Sequence, residues 1–180
     1  MTLWTVGHSN RTMEQFLSLL QAHGVELLVD IRTAPGSRRN PQFNGESLAE
    51  SLAASGIGYV HLRALGGLRR PRPDSTNLAW RNPSFRGYAD YMQTEAFARA
   101  LSDLMDMASR RRTAVMCAEA VPWRCHRSLV ADALTARGVE VQHILSPEKA
   151  SAHKLTPFAQ VEGMVVSYPA TPLLDAPGEL

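Results

Sequence analysis

Five short apolar runs recur along the chain, separated by segments in which apolar residues follow a helical spacing. The runs lie at residues 3–7, 25–31, 57–62, 113–118 and 139–145. Short runs that are apolar at nearly every position are typical of strands covered on both faces. We therefore predict five strands.

Helical signals fill the intervals between these runs. Thr12 and Gln15 have the capping-box spacing at the start of a first helix, which we expect to end at Gly24. A short second helix is predicted to end before Gly56. A long helical stretch is predicted for about residues 86–110. Pro122 suits the first turn of a last helix that ends before residue 138.

The alternation of strand and helix predicts an α/β fold, a Rossmann-like, mostly parallel sheet of about five strands with helices on both faces. We expect strand four to lie beside strand one. Residues 1–146 are predicted to form this domain, and residues 147–180 a proline-containing C-terminal extension. Within the extension, residues 161–168 are predicted to form a late edge strand and residues 171–180 to be disordered.

Composition narrows the class of protein. No apolar run has the length of a membrane span, and the N-terminus lacks the basic and apolar segments of a secretory signal. We therefore expect a cytoplasmic protein with no membrane partner, in which both cysteines are thiols. The net charge is only +2, but 17 of the 19 basic residues are arginines, which suit bidentate contact with phosphate or carboxylate. Codon bias explains much of that number, but not where the arginines lie.

Ionisable and nucleophilic side chains follow four of the predicted strands. In an open parallel sheet, ligands bind beyond the carboxyl ends of the strands, so we expect these side chains to form one site. They are His8 and Ser9 after the first strand; Asp30, Arg32, Ser37 and Arg38 after the second; Gly66, Gly67 and Arg69 after the third; and Cys117, Glu119, Cys125, His126 and Arg127 after the fourth.

The segments CAEAVPWRCHR and LVDIRTAPGSRRNPQF, with the opening GHS and the later LGGLR, resemble domain of unknown function family 488. The resemblance covers about residues 3–146 and implies a Rossmann-type α/β domain, but it implies no activity. The positions that match the family's motifs are Gly7, His8, Ser9, Asp30, Arg32, Pro35, Ser37, Gly66, Gly67, Cys117, Glu119, Pro122, Cys125, His126 and Arg127.

Cys117 has three interpretations. A helix N-terminus and nearby arginines can stabilise its thiolate, as in cysteine phosphatases and sulfurtransferases, although the loop lacks glycine and the spacing to Arg124 is one residue longer than Cys-x5-Arg. Burial and Glu119 oppose that thiolate, so we expect it only if Glu119 is paired with an arginine. Alternatively, Cys117 is an inert buried residue. Zinc binding with Cys125, His126 and His8 is the third interpretation, but the spacing is unusual and arginines repel a cation, so we predict no metal. We prefer the alternative that Cys125 packs under the helix while His126 and Arg127 face an anion, because a helix N-terminus favours negative charge.

Other candidates also keep two interpretations. The carboxylates Asp30 and Glu119 are either a general acid–base pair or salt-bridge partners that hold Arg32 and Arg127. His8 either faces the site or, through neighbouring Ser9, caps the first helix. The glycine pair at 66–67 suggests a positive-φ turn or a close approach of backbone to ligand. The arginine-rich loop at 63–86 contains Trp80 and Phe85, which suit either single-stranded nucleic acid or simple anchoring.

Together these patterns favour an enzyme that acts on an anionic substrate, such as a phosphate-bearing compound, a nucleotide or a nucleic acid, as a cysteine- or carboxylate-dependent hydrolase or transferase. The alternative is a non-catalytic nucleotide- or nucleic-acid-binding module. No cofactor is expected, and no oligomeric state is predicted. The candidates for chemistry are Cys117, Glu119, Asp30, His8 and His126; those for substrate binding are Ser9, Arg32, Ser37, Arg38, Gly66, Gly67, Arg69, Cys125 and Arg127.

Overall fold

A computed structural model describes residues 1–170 of the chain. The strands are β1 (Thr2–Gly7), β2 (Leu27–Asp30), β3 (Gly58–His61), β4 (Thr113–Cys117), β5 (Glu140–Ser146), β6 (Lys149–Ala152), β7 (Gln160–Glu162) and β8 (Val165–Ser167). The α-helices are α1 (Met13–Ala22), α2 (Gly45–Ala54), α3 (Pro83–Met92), α4 (Glu95–Arg110) and α5 (Arg127–Thr135), with 3₁₀ helices at Pro41–Phe43, Arg63–Leu65 and Pro122–Arg124.

The central sheet has the order β3-β2-β4-β1-β5-β6, and its first five strands are parallel. The predicted α/β fold is thereby confirmed, as is the pairing of β4 with β1, in which Gly7 lies opposite Cys117. The sheet has one strand more than predicted, because β6 turns back and pairs antiparallel with β5.

Alternate residues of the strands enter two separate cores, one on each face of the sheet. In β4, Met116 packs with Phe16 and Leu48 from α1 and α2. Its neighbour Val115 packs on the other face with Leu104 and Leu129 from α4 and α5. Because successive strand side chains point to opposite faces, the apolar run in β4 serves both cores. Cys117 therefore ends β4 on the face that carries α3, α4 and α5.

The helical boundaries differ from the prediction in two places. The stretch predicted at 86–110 is two helices, because Thr94 is extended and its side chain accepts a hydrogen bond from the N–H of Phe97, which starts α4. Pro122 begins a single 3₁₀ turn rather than an α-helix. The extended backbone of Cys125 ends that turn, and α5 begins only at Arg127.

The C-terminal extension packs against the domain. It supplies β6 to the central sheet and the fully buried Tyr168 to the core. The single edge strand predicted at 161–168 is wrong, because Gly163 has a φ of 61° and turns the chain into the β7–β8 hairpin, a separate two-stranded sheet. The disorder predicted for residues 171–180 lies outside the described residues.

The arginine-rich loop at 63–86 is fastened at its centre by the buried carboxylate of Asp90. That carboxylate accepts hydrogen bonds from the backbone N–H of Arg72, the hydroxyl of Ser75 and the side-chain amide of Asn77. Across residues 1–170, none of the helices is both long enough and apolar enough to cross a membrane.

Candidate functional site

A cavity of about 490 Å³ opens beyond the carboxyl ends of β1, β2 and β4. This is the edge of the sheet at which the sequence predicts a site. The predicted site residues that line it are His8, Arg32, Ser37, Gly67, Cys117, Glu119, Cys125 and His126.

The loop after β4 crosses directly over the end of β1. The backbone N–H groups of His8 and Ser9 donate to the carbonyls of Cys117 and Ala118. At Gly7 a Cβ atom would lie 1.8 Å from the carbonyl oxygen of Glu119, so no other residue fits there without moving the loop. Gly7 thus allows the approach that places Cys117 beside His8.

Arg127 holds the same loop from its buried side. It is 1% exposed, and its guanidinium donates to the backbone carbonyls of Val6, Glu119 and Ala120. No carboxylate within residues 1–170 forms an ion pair with it. Arg127 does not line the cavity. It therefore acts as a buried positive charge under the loop that carries the thiols.

Both cysteines are free thiols, and they lie side by side. The sulfur atoms of Cys117 and Cys125 and a ring nitrogen of His126 all lie within 4.8 Å of one another. The backbone N–H of Arg127 also donates to the sulfur of Cys125, at 3.4 Å. A soft metal ion could take this set of three donor atoms, and the same set is suited to thiol chemistry.

The pKa values of the two thiols are shifted in opposite directions. A hydrogen bond from Cys125 lowers the pKa of Cys117, and the charge of Arg127 lowers it further, while burial opposes both. The pKa of Cys125 is raised, because the Cys117 thiolate holds its proton and because the thiol is buried. Glu119, expected to oppose the thiolate unless an arginine paired with it, forms no ion pair in the described chain. Its side chain is exposed.

The ring of His126 is oriented by the backbone. Its Nε2 lies 3.2 Å from the carbonyl oxygen of Ile31, and because a carbonyl only accepts, Nε2 carries a proton. In the neutral ring Nδ1 is then the acceptor, and it lies 3.6 Å from the sulfur of Cys125. The ring also packs against Tyr88.

The ring of His8 has the opposite tautomer. Its Nδ1 lies 2.7 Å from the carbonyl oxygen of Ser9, so Nδ1 carries the proton and Nε2 is an acceptor. The ring stacks on Phe43, and burial, then the charge of Arg32, lowers the pKa of His8. The helix-cap interpretation of His8 and Ser9 is wrong, because Thr12 caps α1.

Asp30 lies beneath the cavity and holds Arg32. The fully buried carboxylate forms an ion pair with the guanidinium of Arg32, with Nη2 and Oδ2 2.6 Å apart, and accepts a hydrogen bond from the hydroxyl of Tyr59. Burial and the Asp30 charge raise the pKa of that hydroxyl. Arg32 Nη1 lies 3.4 Å from His8 Nε2, so this edge of the guanidinium faces the cavity residues.

A family model described as "Domain of unknown function DUF488" matches residues 12–134, which is more than half of the chain. The chain belongs to the DUF488 family. Searches among curated proteins and among solved structures each found no match. The matched part of this DUF488 protein contains the thiols and Arg32, whereas His8 and Ser9 lie just before it.

Five predicted binding residues of the DUF488 chain are not among the residues that line the cavity, and one of them is Arg127, which was predicted to hold the anion and is buried. Arg69 lies 3.7 Å above the ring of Tyr91 and donates to the carbonyls of Gly66 and Ala64. Arg38 is exposed. The other two are Gly66 and Ser9.

The glycine pair is explained by packing within the protein rather than by a positive φ. A Cβ atom on Gly66 would lie 2.9 Å from the hydroxyl of Thr33, and one on Gly67 would lie 3.0 Å from the ring of His126. The residue with a positive φ is the next one, Leu68, at 57°. Its exposed side chain is at the cavity.

The cavity also includes residues that were not predicted for it. No sequence motif marked Tyr88, which lies within a predicted helical stretch. Only the packing of α3 brings its side chain to the thiols. Leu68 carried no sequence signal, since backbone strain is invisible in a pattern of residues. Phe85 stacks on Trp80, so the loop aromatics contact each other. The cavity residues outside the predicted set are Thr33, Ala34, Gly36, Asn40, Leu68, Ser84, Phe85, Tyr88, Ala118 and Arg124.

Proposed function

We propose that this DUF488 protein is an enzyme that uses the thiolate of Cys117 as a nucleophile on a substrate with an anionic group. The observation that carries the proposal is the position of Cys117 at the cavity, beside a donor thiol and above the buried charge of Arg127. A thiolate, not a thiol, is the nucleophilic form of cysteine, and these neighbours favour it. A purely structural cysteine needs none of them.

Two further groups can serve proton transfer. The neutral ring of His8 presents an acceptor nitrogen, Nε2, and its lowered pKa keeps it unprotonated near neutral pH. The exposed carboxylate of Glu119 lines the same cavity. His8 is suited to accept a proton from a water molecule or a substrate hydroxyl once a bound anion draws Arg32 Nη1 away from Nε2, and Glu119 to a second proton transfer at the solvent side.

The anionic group of the substrate is expected near Arg124. The side chain of Arg124 is exposed and lines the cavity, whereas the positive charge of Arg32 is already paired with Asp30. The hydroxyl of Ser37 accepts from the N–H of Asn40, which leaves its own proton able to donate to a ligand. Phe85 adds an aromatic wall that suits a planar group such as a nucleobase.

Thiol labelling tests the nucleophile. Iodoacetamide should modify Cys117 faster than Cys125, with a pH midpoint below the value of about 8.5 for a free thiol, read site by site by mass spectrometry. The matched variant Cys125→Ala removes the strongest donor to Cys117, so its midpoint should rise. If Cys117 stays unmodified in the folded protein, it is not the nucleophile.

Thermal melts with phosphate and nucleotides test the anion. A bound anion should raise the Tm of the wild type, and Arg124→Ala should lose that increase, whereas the control Arg38→Ala should keep it. A Tm increase together with an inert Cys117 would favour the binding module over the enzyme. The absence of any increase at millimolar concentrations would contradict anion binding.

A further inference from the structure

In a reaction that needs only one nucleophile, the second thiol serves only as a hydrogen-bond donor to Cys117, and the base next to it, His126, has no role. Cys125 places its sulfur beside that of Cys117, while His126 places Nδ1 3.6 Å from the sulfur of Cys125. The contact with Ile31 fixes the ring so that Nδ1 is the free base. A thiol that lies next to a base and next to a nucleophilic sulfur can lose its proton to the base and then attack a bond that the first sulfur has formed.

We infer that Cys117 and Cys125 are a nucleophilic and a resolving cysteine, and that the substrate is a small disulfide that carries anionic groups. This inference rests on the proposed function, because it takes Cys117 as the nucleophile, and it adds the substrate class. The negative groups of the disulfide would lie at Arg124 and at the outward edge of Arg32, both of which line the cavity.

The reaction balances in two exchanges. The Cys117 thiolate attacks one sulfur of R–S–S–R, so that a Cys117–S–S–R bond forms, the substrate S–S bond breaks and RS⁻ leaves. Cys125 then gives its proton to His126 Nδ1, and its thiolate attacks the Cys117 sulfur. The second RS⁻ leaves with the formation of a Cys117–Cys125 disulfide. The substrate gains two electrons and the protein loses two, which a dithiol reductant restores.

The loop geometry allows this bond. The two cysteines lie on one loop, separated by seven residues, with Cys117 at the end of β4 and Cys125 just after a single 3₁₀ turn. Cys125 has an extended backbone and lies before α5, so its sulfur can approach that of Cys117 without unwinding that helix. The N–H of Arg127 stabilises the second thiolate as it forms.

Intact-mass spectrometry after addition of glutathione disulfide tests the pair. The wild type should lose both free thiols and keep no adduct, Cys125→Ser should accumulate one glutathione adduct, and Cys117→Ser should not react. His126→Asn should form the adduct but resolve it more slowly than the wild type, provided that its Tm shows an intact fold. A wild type that keeps the adduct as long as Cys125→Ser does would overturn the inference.

Charge selectivity tests the substrate class. Glutathione disulfide should react faster than the cationic cystamine, and Arg124→Ala should reduce that preference about tenfold, the value of one charge-assisted contact. Equal rates with both disulfides would overturn the anionic class.

If iodoacetamide modifies Cys117 readily but no disulfide reacts, the resolving pair fails and the proposed nucleophile stands. Zinc that purifies stoichiometrically with the protein, and is released only by a thiol reagent, would assign the pair to metal instead.

Discussion

Several single residues have environments that no substitute can reproduce. Arg127 is the clearest example, because its planar guanidinium reaches three carbonyls of two chain segments at once. A lysine ammonium group carries the same charge but does not have the planar set of N–H donors of a guanidinium. The charge and the shape of Arg127 can therefore be separated by experiment.

Arg127→Lys should keep a positive charge near the thiols and lose part of the support of the loop. We expect a loss of about 2–4 kcal/mol of stability, because buried carbonyls are left without donors. Denaturant unfolding measures the loss. If the variant is as stable as the wild type, the three hydrogen bonds do not hold the loop.

Gly7→Ala tests the close approach of the thiol loop to β1. The added Cβ would meet the carbonyl of Glu119 at 1.8 Å, so the loop must move, and we expect a cost of about 3 kcal/mol or more. Gly36→Ala is the control, because nothing lies within 4 Å of its Cβ position. Thermal unfolding should separate the two variants; similar values of Tm would contradict the tight contact.

At the scale of elements, one carboxylate fastens the centre of the loop between the 3₁₀ helix Arg63–Leu65 and α3. Asp90 lies on α3 and accepts hydrogen bonds from three groups of the loop between residues 72 and 77. Asn77 in turn accepts from the backbone N–H of Tyr168, which connects the loop to the C-terminal segment. This sequence of contacts explains how a segment rich in arginine stays ordered at the side of the cavity.

Asp90→Asn should release the loop without changing the volume of the side chain. An amide cannot accept from all three donors, so we expect a loss on the order of 2–3 kcal/mol and faster hydrogen exchange for amides 72–77. The control is Asp74→Asn, since Asp74 forms only an exposed ion pair with Arg72 and should change little. Unchanged exchange in Asp90→Asn would show that other contacts order the loop.

At the scale of the whole molecule, a buried hydrogen-bond chain connects the C-terminal extension to the sheet and to α5. Thr5 contacts His143, His143 contacts His153, and His153 contacts the carboxylate of Asp132. Tyr168 donates its hydroxyl proton to the same carboxylate, so residues far apart in sequence meet at Asp132. The chain of contacts accounts for the integration of residues 147–168 into the fold.

This network makes stability depend on pH. Burial, then His153 and Arg127, lowers the pKa of His143 from 6.5 to about 4, so the unfolded chain binds a proton at His143 more readily than the folded one. Stability should therefore be complete above about pH 6.5 and fall as the pH decreases towards 4, by on the order of 2 kcal/mol from this group. Denaturant melts across this range should show a flatter profile for His143→Gln. An identical slope would exclude His143 as a cause.

Periodicity and residue chemistry were sufficient to predict much of the fold and the edge of the sheet at which the cavity opens. The apolar runs predicted β1 to β5, and the polar residues after them predicted the cavity that contains Cys117, His8 and Arg32. The role of β6 was missed, because the segment KASA is short and not apolar, and only its pairing with β5 makes it a strand. The division of one predicted helix at Thr94 was also missed, because the apolar spacing continues across the break.

The sequence by itself determined the α/β class, the parallel core and the edge of the sheet at which the ionisable side chains collect, since these depend on short-range periodicity and on the direction of the strands. Only the tertiary structure decided what each polar group faces. It paired Arg32 with Asp30, buried Arg127 among carbonyls and brought Cys125 to Cys117. The physical reason is that hydrogen bonds and pKa values depend on distances of a few ångströms between groups that are remote in the chain, and no local pattern encodes those distances.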